Sequence, residues 1–415
     1  MKKILSFCVC VALVCCFVFS GCASLNLNNF EFSKYSSEIS QNEILKIETK
    51  NLSTQEKKTK IAEEYIKISF TVIIAKEVRT TIVQSGATVS DDTEETFVSF
   101  GSGTVVYKGG YILTNYHVVA NALLEANVST STNKYTGQTT TVSTSYKTYV
   151  SQDGGETAYE AVVLWSNINF DLAIIMCKQF ENLPAAQLKD RSVYCNDEDR
   201  IKVLEEVITI GTQYDEENYG SATLGTISSS KNRSVFGTDI GVNYEYLIQH
   251  NASINHGNSG GALVDLDGNL IGVNTLGVDN ANSLFYAVSV YPIIEIIDTV
   301  VYNWEQNGAQ TTDQSFGLSG IDKLLIKNAK SSVEAKYAEF DDSGVIVTDV
   351  TSQCIIKNIK VGDIIKEVKL GTKVFKINNV YDFLYARLYL HTVGTGKVSV
   401  LRNNSLVELD LSVKG

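Results

Sequence analysis

Short apolar runs separated by glycine and asparagine fill residues 98–290. Examples are GTVVY, YILTNYHVV, EEVITIGT and NLIGVNT. Runs of this length bounded by turn-forming residues are typical of β-strands, and many of them at even spacing are typical of an antiparallel barrel or sandwich. The pattern therefore predicts a mainly β domain over this part of the chain.

Helical and loop segments interrupt or flank the predicted strands. QEKKTKIAEEYIKISF has helical character and leads into the predicted strand ISFTVIIA. YPIIEIIDTVVYNWEQNG (291–308) predicts a helix that ends at Gly308. The acidic segment GATVSDDTEETF (86–97) is interpreted as a loop, and the Ser/Thr-rich segment at 129–145 as an inserted, exposed hairpin or loop.

The last hundred residues change in character. SGVIVTDV predicts a strand, VYDFLYARLYLHTV an amphipathic helix, and GKVSVLRNNSLVELDLSV a hairpin that turns at Asn403 and Asn404. Apolar residues alternate with polar ones from Val407 to Val413, as a half-buried strand requires. We predict a small β-sheet capped by one helix.

The first residues have the features of an export signal. Two lysines precede an apolar run that ends in Ser20-Gly21-Cys22, and this run is too short for a comfortable membrane span. Small residues before a cysteine resemble the lipobox of bacterial lipoproteins, which implies cleavage before Cys22 and lipid on its sulfur. The alternative is an ordinary signal peptide with an incidental cysteine. We predict a signal peptide over 1–21 and a polar tether over 22–60.

Length and charge limit the classes of function. A chain of 415 residues is too long for one ordinary core, and we place the domains at 61–308 and 309–415. The formal net charge of −12 argues against a nucleic-acid partner. Cysteine spacing gives no metal pattern, and the chain has no phosphate loop or dinucleotide fingerprint, so no metal and no cofactor is predicted.

The segment HGNSGGALVDLDGNLIGVNT raises the question of a nucleophilic serine. Ser259 lies between glycines and needs a histidine base, and the chain has only 4 histidines. An α/β-hydrolase requires the order Ser, acid, His and a helix after the serine. Only His391 follows Ser259, and a predicted hairpin follows the serine, so we exclude this class. The order His117, Asp171, Ser259, each at a strand end, remains.

The three blocks GSGTVVYKGGYILTNYHVV, NFDLAII and INHGNSGGALVDLDGNLIGVNT resemble the catalytic blocks of the HtrA/Deg serine proteases. The resemblance extends over about residues 68–298 and implies a chymotrypsin-like double β-barrel. It implies Ser259 as nucleophile, His117 as general base and Asp171 as its orienting carboxylate, with the N–H groups of Gly257 and Ser259 as the oxyanion hole. The C-terminal unit resembles a PDZ domain, and the family is typically trimeric, which implies a homotrimer.

Some positions depart from the family pattern. His256 stands where relatives have Pro or Arg, and the acidic segment 213–220 replaces a common Asn-Pro-Phe-Gly. We interpret His250 and His256 as pocket-rim residues. Asn258 cannot form the ion pair that an aspartate makes in trypsin-type zymogens, so activation by propeptide cleavage is not expected.

Two binding sites follow from the same resemblance. The residue six before the nucleophile, Ser253, would lie at the base of the specificity pocket, with Ile254 and Phe285 in its walls; we expect cleavage after small or medium aliphatic residues. The loop Phe316-Gly317-Leu318 fits a turn that receives the C-terminal carboxylate of a peptide.

The sequence thus leaves two classes of function. The first is a secreted, membrane-anchored serine endopeptidase that cleaves misfolded or exposed polypeptides of the cell envelope. The second is a lipid-anchored peptide-binding or chaperone protein whose protease domain is idle.

Overall fold

Two closed β-barrels and a third sheet make up the fold. The computed structural model describes residues 44–189, 200–213, 218–229, 247–277, 283–311, 316–322, 343–392 and 394–412. The predicted signal peptide, Cys22 and the first part of the tether lie outside these ranges. Within them, no helix has the length and apolarity needed to cross a membrane.

The first barrel closes through six antiparallel strands. Their order around the barrel is β1-β2-β3-β7-β6-β5, and pairing of β1 with β5 closes the ring. A seventh strand, β4, adds to the outside of β5. The strands are β1 (Ser69–Gln84), β2 (Ala87–Tyr107), β3 (Tyr111–Thr114), β4 (Asn127–Thr132), β5 (Thr139–Ser151), β6 (Tyr159–Asn167) and β7 (Leu172–Met176).

The second barrel has the same design. The ring order is β12-β9-β10-β11-β14-β13, closed by pairing of β12 with β13, and β8 adds to β13 in parallel. The strands are β8 (Gln187–Leu188), β9 (Glu206–Gly211), β10 (Ser221–Ser229), β11 (Ile248–His250), β12 (Ala262–Asp265), β13 (Asn269–Gly277) and β14 (Phe285–Ser289). The mainly β, chymotrypsin-like double barrel expected from the sequence is confirmed.

A third antiparallel sheet follows in the C-terminal unit. Its order is β15-β16-β17-β19-β20, and β18 also pairs with β17. Its strands are β15 (Leu318–Ile321), β16 (Val345–Val350), β17 (Ile364–Leu370), β18 (Lys373–Lys376), β19 (Thr395–Arg402) and β20 (Ser405–Ser412). Asn403 and Asn404 both have positive φ, so the tight turn predicted there is present.

Among the described residues, four α-helices accompany the sheets: α1 (Thr54–Ile66), α2 (Tyr116–Val119), α3 (Tyr291–Asn307) and α4 (Val380–Leu388). Ser53 and Glu56 form a capping box at the start of α1. Tyr65 at its other end is fully buried and donates its hydroxyl hydrogen to the carbonyl of Gly268. Gly308 ends α3 in the left-handed conformation, as predicted.

The interpretation of residues 86–97 as a loop is wrong. These residues form the first half of β2 and pair with β1 through a turn at Ser85 and Gly86, both with positive φ. Beyond the barrel, β2, β1, β5 and β4 continue as a four-stranded sheet of residues 75–84, 87–99, 127–132 and 139–147, which we name the arm. The segment 129–145 belongs to it as a hairpin that is exposed over 129–137 and half-buried over 138–145.

Candidate active site

Asp171 lies at the centre of the site. It precedes β7 with φ 50°, a left-handed conformation that is uncommon for a residue with a side chain. It is fully buried, and its carboxylate accepts hydrogen bonds from the backbone N–H of His117 at 3.0 Å and from Thr275 Oγ1 at 2.6 Å. Its buried charge is therefore stabilised by several donors, as a buried carboxylate requires.

His117 contacts the same carboxylate through its ring. Nδ1 lies 2.9 Å from Asp171 Oδ2 and 3.0 Å from Oδ1. His117 is the second residue of the short helix α2, and Asn115, just before that helix, donates its side-chain N–H to the carbonyl of Asp171 at 2.8 Å. These bonds fix the ring orientation and leave Nε2 as the nitrogen that can accept a proton.

Ser259 is held next to this pair by Thr275. Its Oγ donates to the carbonyl oxygen of Thr275 at 3.0 Å, while the hydroxyl of Thr275 bonds Asp171. Among the described residues, no hydrogen bond joins Ser259 to His117. The three residues predicted from the sequence are thus brought to one place, with the serine hydroxyl in an orientation that must change before it can give its proton to the ring.

The loop that carries Ser259 has a defined turn. Asn258 donates its backbone N–H to the carbonyl of Asn255 at 3.0 Å, and Gly257 between them has φ 89°. Ser102 bonds this loop twice: its Oγ donates to the carbonyl of Gly257 at 2.7 Å, and its N–H donates to the carbonyl of Ser259 at 2.7 Å. The backbone of Gly257 and Ser259 is therefore anchored to the first barrel.

Asn258 is fully buried under the loop. Neither its Oδ1 nor its Nδ2 has a hydrogen-bond partner among the described residues. A Cβ at Gly211 would lie 2.2 Å from its Oδ1, so glycine is needed where β9 passes this side chain.

Thr275 and Ser102 were not singled out from the sequence. Ser102 lies in the block GSGTVV and Thr275 at the end of NLIGVNT, but hydroxyl residues are common in both strands and loops. The only signal was their position inside blocks that resemble the protease family.

Thr275→Val is expected to lower kcat/KM about tenfold, because it removes the hydroxyl that bonds the buried carboxylate of Asp171. Thr275→Ser keeps this bond and should restore most of the activity. Initial rates on a peptide substrate measure both variants. Since the role of Thr275 is positioning, the acid limb of the pH–rate profile should also move in Thr275→Val and return in Thr275→Ser. Equal activity of the valine and serine variants would contradict this role.

His250 does not lie at a pocket rim, and that expectation is wrong. It is fully buried at the end of β11, opposite Phe285 of β14, with ring centroids 6.2 Å apart. Neither ring nitrogen has a partner among the described residues. Burial lowers the pKa of His250 to about 4, because the charged form is disfavoured away from water.

This burial predicts a pH-dependent loss of stability. Unfolded His250 takes up a proton near pH 6.5 while the folded residue does so only near 4, so the unfolded state binds more protons between these values and stability falls as the pH is lowered through them. The contribution is on the order of 3 kcal/mol. Denaturant unfolding at pH 7 and pH 4.5 should show a smaller acid loss in His250→Phe than in the wild type. Equal losses in the two proteins would contradict the prediction.

The predicted specificity residues belong to the second barrel: Ser253 and Ile254 come after β11, and Phe285 begins β14. Ser253 is exposed, with its carbonyl accepting a hydrogen bond from Thr223 Oγ1 at 2.7 Å, and Ile254 is buried. Phe285 is half-buried beside His250. Their part in substrate selection stays a prediction. His256 is exposed at the surface of the nucleophile loop.

The predicted peptide-binding loop begins the third sheet. The ring of Phe316 is buried and stacks on Phe383 of α4 at 4.5 Å. Gly317 has φ 72°, and a Cβ there would lie 2.5 Å from Cys354 Cα, so the turn requires glycine. Leu318 starts β15. A carboxylate-binding role for this loop stays a prediction.

The C-terminal unit contacts the residue next to Asp171. Tyr381 of α4 packs against Phe170 with ring centroids 5.4 Å apart and planes at 80°. Tyr385, one turn further along α4, stacks on Tyr291 of α3 at 4.3 Å. Helix α4 is thus packed against both the loop that bears the orienting carboxylate and the helix that follows the second barrel.

No group of three or more metal-ligating side chains is present in the described ranges. The site brings together the hydroxyl of Ser259, the ring of His117 and the carboxylate of Asp171. A hydroxyl, a base and a carboxylate that orients the base are the groups that nucleophilic acyl transfer uses.

Comparisons with known proteins identify a peptidase family and several named relatives. Residues 101–273 match the trypsin-like peptidase domain family. The chain is 31% identical over 277 residues to the "Probable periplasmic serine endoprotease DegP-like" of Buchnera aphidicola subsp. Baizongia pistaciae, over 65% of this chain and 49% of that protein. It is 25% identical over 339 residues to the "Serine endoprotease DegS" of Haemophilus influenzae, over 80% of this chain and 81% of that protein.

The fold also has a counterpart among solved structures. The structure "HtrA-type protease AlgW with decapeptide" superposes with a TM-score of 0.50 and 21% sequence identity, over 82% of this chain and 94% of that chain. At this identity the likeness concerns the fold alone. The chain spans about half the length of its DegP-like relative.

Proposed function

We propose that this chain, which carries a trypsin-like peptidase domain and has HtrA-type serine endoproteases as relatives, is itself a serine endopeptidase. The observation that carries the proposal is the continuous set of contacts from His117 through Asp171 and Thr275 to Ser259. No other set of described residues joins a nucleophile, a base and a buried carboxylate in this way.

The reaction follows from the roles of these groups. Ser259 Oγ rotates from the carbonyl of Thr275 towards His117, gives its proton to Nε2 and bonds the carbonyl carbon of the substrate. The N–H groups of Gly257 and Ser259 bind the oxyanion. The C–N bond then breaks, and His117 returns the proton to the leaving amine. Water enters by the same route, with His117 again as base, and releases the acyl group from Ser259.

The proposed substrates are misfolded or exposed polypeptides of the cell envelope. The proposal is supported by the relatives, which are named a probable periplasmic serine endoprotease and a serine endoprotease. The pocket that selects small or medium aliphatic residues before the cleaved bond is proposed to be formed by Ser253, Ile254 and Phe285.

Hydrolysis of casein tests the activity. Mass-spectrometric mapping of the cut sites tests the selectivity, and a majority of cuts after Lys or Arg would contradict the assigned pocket.

We further propose that lipid on Cys22 anchors the protein to the membrane surface. The loop Phe316-Gly317-Leu318 is proposed to bind the C-termini of peptides. The protein is also proposed to form a homotrimer. A peptide at that loop would act on the catalytic site through α4, since Tyr381 contacts Phe170 beside Asp171. Cys22→Ser should release the protein from membranes. If the wild-type protein binds peptides but does not hydrolyse casein, the result would favour the alternative, a binding protein with an idle protease domain.

A further inference from the structure

The outer edge of β2 leads out of the active site. At Gly101 a Cβ would lie 2.7 Å from Val118, the neighbour of His117, and 2.9 Å from the carbonyl oxygen of Ser259. The ring of Phe100 lies against Gly257, because a Cβ added at Gly257 would be 2.3 Å from Cε2 of Phe100. From there the strand continues outward through residues 87–99 for about 40 Å at the rise of a β-strand.

This edge has no partner strand. Residues 87–99 pair with β1 on one side only, and no strand of the described residues pairs with their other side. Unpaired backbone N–H and C=O groups along an extended edge are a template for the addition of another extended chain. In natural proteins such edges are kept from unwanted pairing by charge, and the charge also decides which chains can pair.

The charge on the edge is acidic. Residues 87–99 include four acidic side chains and no basic one: Asp91, Asp92, Glu94 and Glu95. Asp91 is paired with Arg79, and Glu95 lies 3.5 Å from Lys147, which also pairs with Glu77 at 2.6 Å. Within the described residues no cation pairs with Asp92 or Glu94, and both are exposed. The other edge of the arm, β4, has no charged residue.

An apolar pair lies between the acidic part and the cleft. Phe97 is 50% exposed, and its ring is 6.1 Å from that of Phe100. Val98 beside it is 40% exposed. Along the edge, from the active site outward, a chain would thus meet Phe97 first and then Glu94 and Asp92, three and five residues further along, neither of which has a cation partner among the described residues.

The direction of the substrate follows from the chemistry. His117 gives its proton to the leaving amine, so the segment after the cleaved bond departs on the side of His117. His117 belongs to the first barrel, and Gly101 of β2 packs against its neighbour Val118. The segment that leaves is therefore the part of the substrate that can reach the β2 edge.

We infer that the arm is a docking edge for the part of the substrate that follows the cleaved bond. This segment adds to residues 87–99 of β2 as an antiparallel strand, with an apolar residue on Phe97 and with basic residues opposite Asp92 and Glu94. The inference rests on the proposed endopeptidase activity and adds to it a preference for polypeptides with basic residues on the leaving side.

The test uses the full chain and three peptides with the same residues before the cleaved bond. One ends two residues after it, one continues for twelve residues of alternating Thr and Lys, and one for twelve of alternating Thr and Glu. The lysine tail should raise kcat/KM about fivefold over the short peptide at low salt, and the glutamate tail should not. Exposed ion pairs of this kind weaken with added salt, and so should the gain.

Variants test whether the gain in kcat/KM from the lysine tail depends on the β2 edge. Asp92→Asn with Glu94→Gln should abolish the gain from the lysine tail and leave the rate on the short peptide unchanged. Glu48→Gln with Glu63→Gln removes the same charge from exposed positions outside the arm and should leave the gain intact. A lysine tail with N-methylated peptide bonds keeps its charge but cannot pair as a strand, so it should also lose the gain.

The outcomes separate the two proposals. Cleavage of none of the three peptides, nor of casein, would overturn the endopeptidase activity. Cleavage of all three at the same kcat/KM, or a gain that survives in the double arm variant or with N-methylation, would overturn the docking edge alone. A change of sedimentation in the double arm variant without any tail effect would assign the edge to a second copy of the chain and would also overturn it.

Discussion

Ser259→Ala is expected to abolish hydrolysis of casein, with a loss in kcat/KM of at least about 10⁴-fold. The alanine cannot form an acyl-enzyme, and only the binding contribution of the oxyanion hole and the cleft remains. Burial of Thr275 and Asp171 beneath it is unchanged, so the fold should persist. Initial rates with casein and with a short peptide measure the loss, and circular dichroism and thermal unfolding check the fold.

The matched control is Ser405→Ala, an exposed serine in the hairpin of β19 and β20. It should leave the rates unchanged. His117→Ala and Asp171→Asn should each reduce activity strongly, and the double variant Ser259→Ala/His117→Ala should lose little more than either single variant, because the residues act as a unit. Multiplication of the single effects in the double variant would speak against a shared mechanism.

The barrels were predictable because each strand is a short apolar run bounded by turn-forming residues in the sequence. In the block from Asn269 to Thr275 every residue of the run lies in one strand, and the Asp-Gly turn before it fixes the hairpin. The arm was not predictable in the same way. Residues 87–99 combine strand formers such as Val89 and Phe97 with a run of acidic residues, which are rare in strands, and they are extended because β1 supplies backbone partners along most of their length.

The candidate catalytic site also has some features that could be predicted from the sequence and others that could not. The order His117, Asp171, Ser259 could be read from the sequence because each residue lies in a distinctive block at a strand end. The hydroxyl bond from Thr275 to Asp171 could not, because it joins residues that are 104 positions apart and belong to different barrels. The burial of His250 was missed because its partner, Phe285, is 35 residues away on another strand.

The second large effect is expected at Gly257. Gly257→Ala should lower kcat about 10²–10³-fold, with a smaller change in KM, because the loss of one oxyanion donor costs about 2.7–4 kcal/mol of transition-state stabilisation. Its φ of 89° is strained for any residue with a Cβ. The new Cβ would also lie 2.3 Å from the Phe100 ring and 2.6 Å from the carbonyl of Thr212, and the latter is backbone that cannot move aside. The turn must therefore rearrange, and its N–H turns away from the oxyanion.

Gly308→Ala is the control for the backbone strain of a positive φ without a steric clash. Gly308 has φ 60° at the end of α3, and no atom lies within 4 Å of the position its Cβ would take. This variant carries a similar conformational penalty of roughly 1 kcal/mol, but no clash and no contact with the cleft. It should lose stability and keep its kcat. Steady-state kinetics and unfolding of both variants separate the two effects: a kcat for Gly257→Ala within about threefold of the Gly308→Ala value would mean that the turn does not supply the oxyanion donor.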